Sequence, residues 1–406
     1  MNILYVHERP AYFGGVEQNI SDSVKALRRR GVKCHLAFSA EFDADPEFLQ
    51  LFDSQHPCSE LGNEGSPLGS RTLSAIAEEV SADCIYLHKM ERLPESIHST
   101  HCHTVQMVHD HDICCPRRHK YFSIGNQVCT KPAGWRCYLD GAFLTRNPNS
   151  IVGISYSGIH DKLNEMRRRK ALDTFVVASE FMRTELLQNG FPPEKIQVLP
   201  LGVRQQSLPT PPPLSSIPTI LFAGQLIKGK GVDLLLRALA KLTVPFSAVV
   251  VGKGNAEESL RRLCVELKLV GQVEFRGWVN HEQLASLYAG ARAVAVPSRW
   301  PEPYGLVGLE AMLHARPVVA FNVGGIPDWL QEGRTGFLVP EQEVTAFSEA
   351  LLKLIVDREL ARHMGEAGLS AATELFSFDG YIDGLHSVLL PKNRPTELEH
   401  ARLVLA

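Results

Sequence analysis

Five prolines fall between residues 209 and 218, in the segment QQSLPTPPPLSSIP. Such a stretch lacks the amide donors that a helix interior or a central strand requires. It therefore reads as a linker over residues 206–218, with a separate folded unit on either side. On the N-terminal side short apolar runs alternate with amphipathic stretches: NILYV, a helix over residues 19–30, KCHLAF, DCIYLH and TVQMVH. TFVVASEFMRTELLQNG repeats the unit, with Ser179 as helix N-cap and Gly190 as helix stop, and IQVLPLGV closes the half. From Thr219 a second series begins, TILFAG, FSAVVVG, QVEFRG, AVAVPS and PVVAF, each followed by a helical stretch. This alternation predicts an α/β protein built of two doubly wound, parallel-sheet, Rossmann-like domains facing a cleft.

Length agrees, because 406 residues at 44% hydrophobic exceed one ordinary core. A formal net charge of -3 gives no general attraction to nucleic acid, and no nucleic-acid partner is expected. The opening MNILYVHE reads as a strand rather than a leader, and no apolar run approaches the roughly 18 residues of a membrane span. A cytoplasmic protein is expected. In that reducing compartment the nine cysteines are thiols or metal ligands rather than disulfides.

Open α/β sheets bind ligands at the carboxyl ends of their strands, so the loops there carry the functional residues. SRWPEPYGLVGLEAM, residues 298–312, is the most informative. Pro303 suits a first helical turn, which predicts a helix starting there with Glu302 at its mouth and Glu310 about 10 Å further along the same face. Gly305 and Gly308 lack side chains, so a ligand can approach the backbone near an anion-favouring helix N-terminus. A single isolated glutamate in such a helix is usually satisfied by protein partners. Glu310, however, interrupts the apolar series Leu306, Val307, Leu309, Ala311, Met312, where a carboxylate costs free energy unless hydrogen-bonded. It can accept two hydrogen bonds from a vicinal diol such as a ribose. FAGQLIKGKGVDLLLRAL offers Lys230 and backbone amides to phosphates without being a Walker A loop, and VVVGKGNAEE gives GxGxxE rather than the dinucleotide GxGxxG.

Taken together, FGGVEQNI, VVASEFMRTELL, VLPLGV, FAGQLIKGKGVDLLLRA and PSRWPEPYGLVGLEAMLHARPVVAFNVGGIPDWLQEGRTGFLV resemble the retaining, nucleotide-sugar-dependent glycosyltransferases of family four, which have the GT-B fold. The last segment carries that family's Glu-x7-Glu motif as Glu302 to Glu310. The resemblance implies a hexosyltransferase that moves a sugar from a nucleoside-diphosphate sugar to a glycan, lipid-linked or small-molecule acceptor, in cell-surface polysaccharide or glycoconjugate synthesis. It implies that Glu302, Lys230 and His109 act at the reacting sugar and diphosphate. Gly14, Gly15, Gln225, Lys230, Gly305, Leu306, Val307 and Glu310 would bind the donor, Glu310 through the ribose. The family usually has arginine where this chain has Gln225, and Lys228 and Arg299 are the residues expected to compensate. Front-face substitution with retention is expected, with no metal or other cofactor required. Two other readings stand beside this one: a sugar-nucleotide-binding scaffold that has lost turnover, favoured by Gln225, and another GT-B enzyme such as a nucleotide-sugar epimerase.

Three features remain outside the motif. HDHDICCPRRHKYFSIGNQVCTKPAGWRC places Cys114, Cys115, Cys129 and Cys137 in an insert near residues 109–140, which reads either as a structural zinc site or as plain packing. Basic clusters at residues 28–30, 117–120 and 167–170 are either solvated faces or a peripheral contact with an anionic membrane. Domain limits are expected at 1–205 and 219–376. Beyond them, residues 377–406 form a helix and tail that cross back toward the first domain.

Overall fold

The computed structural model describes residues 1–12, 14–61, 71–122, 127–142, 144–146, 154–156, 158–204 and 217–391. Most of the proline-rich linker and the tail after residue 391 lie outside the described residues. Thirteen strands form two all-parallel sheets. The first holds β1 (Asn2–Val6), β2 (Lys33–Phe38), β3 (Ser54–Pro57), β4 (Cys84–Leu87), β5 (His103–Val108), β6 (Thr174–Val177) and β7 (Ile196–Val198), in the order β7-β6-β5-β4-β1-β2-β3. The second holds β8 (Thr219–Ala223), β9 (Ser247–Val251), β10 (Val273–Gly277), β11 (Ala293–Val296), β12 (Val318–Phe321) and β13 (Gly336–Val339), in the order β10-β9-β8-β11-β12-β13. Every strand expected from the sequence is present; β3 and β13, short edge strands, were not anticipated.

Both faces of each sheet are covered, which is why the strands read as continuous apolar runs. In β1, Ile3 and Tyr5 point into one hydrophobic cluster while Leu4 and Val6 point into another, as a period of two requires. Strand order reverses between β1 and β4 in the first sheet and between β8 and β11 in the second. These reversals open crevices at the carboxyl ends of the strands, and both lie under the loops singled out by sequence.

The helices that matter for the site are α1 (Gly15–Arg29), α2 (Glu180–Gln188), α3 (Val232–Leu239), α4 (His281–Gly290), α5 (Leu306–Leu313) and α6 (Phe378–Leu389). α1 starts four residues before the expected Asn19, because Gly14 caps it and its amide donates to Glu17 Oε2 at 2.8 Å. Ser179 caps α2 as expected, accepting from the Met182 amide, and Gly190 follows the helix at φ 73°.

α6 follows the second sheet in the chain but packs on the first domain. Asn19 Nδ2 donates to the Tyr381 hydroxyl at 3.1 Å, and Arg30 pairs with Asp383 at 2.7 Å. Its approach is backbone-close: a Cβ on Gly202 would lie 2.6 Å from Phe378 Cα.

The basic clusters are largely engaged within the fold. Arg28 pairs with Asp53 at 2.9 Å, Lys120 is buried against Glu185, and Arg169 is buried against Glu165 at 2.8 Å. Among the described residues, no helix is long and apolar enough to cross a membrane.

Because the atoms facing Gly202 are backbone atoms of Ser377 and Phe378 and the Cβ of Tyr381, none of which can rotate away, Gly202→Val should cost about 1–3 kcal/mol of stability. Urea unfolding of this variant beside Gly134→Ala, where a Cβ meets nothing within 4 Å, checks it; the control should be unchanged.

Candidate functional site

The crevice of the second sheet is built from the two strands that flank its reversal. The loop after β8 carries Lys230 and the loop after β11 carries Glu302, and the two meet with Nζ 2.7 Å from Oε1. Glu302 is buried at 5% exposure, whereas the lysine is half-buried and reachable from the crevice. Ser298 Oγ donates to the same carboxylate oxygen, and the Lys230 ammonium lies 4.9 Å from the Trp300 ring centroid. This approach requires Gly231. Its φ is 68°, and a Cβ there would fall 1.8 Å from the Pro297 carbonyl oxygen.

α5 begins at Leu306, three residues later than Pro303. The first helical turn expected at Pro303 does not form, because the carbonyls of Glu302 and Pro303 are already engaged by other elements. The Glu302 carbonyl accepts from the Gly325 amide at 2.7 Å, and that of Pro303 accepts from the Ser179 hydroxyl at 2.6 Å. Glu302 thus sits on an extended strap, and Glu310 alone of the pair is helical. Gly305, at φ 91°, turns the strap into α5, leaving Gly305, Leu306 and Val307 as the cap and first-turn amides. Gly308 is small for a packing reason instead: its Cβ would lie 1.9 Å from Trp329, whose indole donates to the Tyr304 carbonyl at 2.6 Å. Glu310 accepts from the buried Tyr288 hydroxyl at 2.9 Å. Burial pushes the Glu310 carboxyl up, against the lowering effects of that hydrogen bond and of His281.

One sequence expectation about cations is corrected. Arg299 does not substitute for the missing arginine at Gln225: it is buried at 3% exposure, and its guanidinium grips both oxygens of Asp233. Gln225 itself is exposed.

The first domain presents its own crevice. Gly15 faces α5, since a Cβ on it would lie 3.9 Å from Leu306 Cδ1. Gly14 is the α1 cap described above. His7, His88 and His109 follow β1, β4 and β5, three neighbouring strands. His109 Nε2 shares a proton with His88 Nδ1 at 2.9 Å, and their rings stack at 5.2 Å. Burial pushes His109 down to about 4 against the field of Asp110, and burial likewise pulls His88 down. Burial alone would raise Asp110, but Lys89 at 2.7 Å holds it low.

The four cysteines do not converge. Cys114 and Cys115 are buried while Cys129 and Cys137 are half-exposed, and all are free thiols. Among the described residues, the ligand group close enough for a metal is His111, Cys114 and Glu185, with atoms within 4.8 Å. Glu185 there is already neutralised by the buried Lys120 ammonium. The zinc expectation on four thiolates is therefore withdrawn.

With this geometry in view, residues 13–206 match the family model Glycosyltransferase Family 4, and residues 212–370 match Glycosyl transferases group 1. The chain belongs to family four of the GT-B glycosyltransferases. It is 37% identical over 171 residues to a D-inositol 3-phosphate glycosyltransferase of Streptomyces avermitilis, a match covering 39% of this chain and 36% of the relative. It is 30% identical over 226 residues to a GDP-mannose-dependent alpha-(1-6)-phosphatidylinositol monomannoside mannosyltransferase of Mycobacterium tuberculosis, covering 51% of this chain and 59% of that one. The chain thus spans well under two thirds of the length of these curated relatives. The fold resembles that of Anabaena HepE in complex with UDP and glucose, with TM-score 0.70 and 19% identity over 95% of this chain and 98% of that one. It also resembles sucrose-phosphate synthase from Thermosynechococcus elongatus, with TM-score 0.71, 19% identity and the same coverage.

Sequence reasoning missed Ser298, Tyr288, Trp300 and His88. Ser298 and Trp300 lie in the same segment as Glu302, whereas Tyr288 and His88 support their partners from neighbouring elements with no motif of their own. DCIYLH did end in the relevant histidine, and its place after a buried strand beside TVQMVH was the available signal.

Unfolded, His88 and His109 titrate near 6.5, so below that pH the unfolded chain binds more protons than the native one. Stability should therefore fall as pH drops from 6.5 toward about 4, the value of native His109. Urea midpoints measured across that range should show a shallower slope for the double variant His88→Gln, His109→Gln.

Proposed function

We propose that this chain transfers a sugar from a nucleoside-diphosphate sugar to a glycan, lipid-linked or small-molecule acceptor, with retained anomeric configuration and without a metal. The observation that carries the reading is the Lys230–Glu302 pair at 2.7 Å, seated at the strand-order reversal beside the free first-turn amides of α5. A half-buried ammonium beside unpaired amides is suited to a diphosphate, whose charge grows as it departs. UDP with glucose in HepE and the GDP-mannose dependence of the mycobacterial relative support a nucleoside-diphosphate sugar as donor class.

In this reading Glu310, held by Tyr288, accepts hydrogen bonds from the two ribose hydroxyls. The amides of Gly305, Leu306 and Val307 meet the sugar and pyrophosphate. Gly14 and Gly15 let the first-domain loop approach the diphosphate from the opposite side, and Gln225 adds hydrogen bonds without charge. Lys230 moves from Glu302 toward the diphosphate when the donor arrives. Glu302 then lies beside the donor sugar, and neutral His109 contacts that sugar from the first domain. The bond from the anomeric carbon to the phosphate oxygen breaks, the acceptor oxygen bonds on the same face, and its proton passes to the departing phosphate. Fixed cationic and amide groups supply the charge stabilisation, so chelation should leave turnover unchanged. Synthesis of cell-surface glycoconjugates is the setting this substrate class suits.

Calorimetric titration with a panel of UDP-, GDP-, ADP- and dTDP-sugars tests the donor class, and labelled donor supplied with candidate acceptors tests transfer. Glu310→Ala should chiefly weaken donor binding, by about tenfold or more for a lost charged hydrogen-bond pair. Lys230→Ala should chiefly lower kcat, by about 100-fold or more. Unchanged constants for both variants overturn the assignment. No binding by the folded native protein favours the scaffold reading, and donor isomerisation without transfer favours an epimerase.

A further inference from the structure

The strap that carries Glu302 is held from the other domain. Three consecutive carbonyls, those of Pro301, Glu302 and Pro303, all accept hydrogen bonds from outside the strap. The Glu302 carbonyl is held within its own domain by Gly325. The two that flank it are held by the first domain: His111 Nε2 donates to Pro301 at 2.9 Å, and Ser179 Oγ donates to Pro303 at 2.6 Å. A third contact reinforces the junction, since the Glu180 amide donates to Asp328 Oδ2 at 2.6 Å. Pro301 and Pro303 have no amide of their own, so the strap has few internal bonds with which to fix its course.

His111 is built to hold its position. Its ring has no exposure, and its Nε2 must carry the proton because a carbonyl can only accept. Its Nδ1 is left without a hydrogen-bond partner among the described residues. Cys114 and Cys115 amides both donate to the His111 carbonyl, and the Phe181 ring stands edge-on at 5.8 Å. Burial, the largest influence, pulls the imidazole below its ordinary range, so it stays neutral. Beneath it the Lys120–Glu185 pair is buried. Ser179 is equally constrained, since its hydroxyl also accepts from the Met182 amide at the start of α2.

We infer that His111 and Ser179 are positioning residues: by gripping the carbonyls on either side of Glu302, the first domain sets the geometry of the Lys230–Glu302 pair. The pair is complete only while the domains are docked as they are here. Separation of the domains releases both flanking carbonyls at once, and the strap loses the contacts that aim Glu302. The Cys-rich insert, near whose start His111 lies, thereby acts on the strap that carries Glu302.

Amide hydrogen exchange on the full chain, without any ligand, tests the structural part. His111→Met removes the donor at similar volume and should speed exchange at Trp300, where the strap begins, and at Gly325, whose amide donates to the Glu302 carbonyl, by about tenfold, the equivalent of one hydrogen bond, while β8 to β13 stay protected. His111→Gln keeps a side-chain donor and should restore much of the protection. Ser179→Asp retains the α2 cap but cannot donate to Pro303, so it should produce the same local increase and serves if the Met variant does not fold. Unchanged exchange in the strap of a folded His111→Met or Ser179→Asp variant overturns the inference. The consequence for turnover rests on the transferase reading: His111→Met should lower kcat about tenfold with a smaller change in KM, and His111→Gln should recover it. If the native protein binds no nucleotide sugar, the transferase reading fails, while the exchange result still decides the positioning role.

Discussion

A carboxylate at 5% exposure does not remain in a protein interior without partners, and the Lys230 ammonium and Ser298 hydroxyl are what Glu302 has. That requirement governs much of the second domain. It fixes the loop after β8 against the loop after β11, which places the pair at the strand-order reversal. It leaves no room for a Cβ at Gly231 and keeps the strap extended past two prolines before α5 begins. Arg299 cannot be borrowed for the same purpose, because its own burial is compensated by Asp233.

The two domains contribute differently to the cleft. The second offers charge that is close to neutralised and poised to exchange partners: an ammonium that can leave a glutamate for a phosphate, and amides that no residue caps. The first offers imidazoles at the ends of three adjacent strands, and burial lowers the basicity of two of them, His88 and His109, so that these stay uncharged. On the proposed function, a division of this kind lets the donor be held mainly by one domain and its reacting end be shaped by the other.

The architecture was legible because both sheets are buried on two faces, so that each strand appears as a short apolar run of its own. The edge strands β3 (SQHP) and β13 (GFLV) escaped notice, the former being polar. Glu310 stood out in the sequence because a carboxylate is out of place in an apolar helix, and Glu302 and Lys230 because each sits in a loop that ends a strand. The start of α5 was misjudged since Pro303 reads equally well as a first helical turn and as part of an extended strap. Only the long-range bonds from Ser179 and Gly325 decide between them, and those have no local signature. The same holds for Gly308, read as an opening for ligand and in fact the seat of Trp329, and for the four cysteines, which do not come together as one ligand group among the described residues.

The helix α6 gives the order of synthesis a structural meaning. Its buried Tyr381, Ile382 and Leu385 close over elements near the opposite end of the chain, so the first Rossmann-like domain lacks part of its covering until the ribosome has passed residue 389. A nascent N-terminal half would wait, with that face bare, through the making of the entire second domain. The protein is thus two domains in space but one unit in assembly: the last of the described helices to be translated finishes the domain that was begun first.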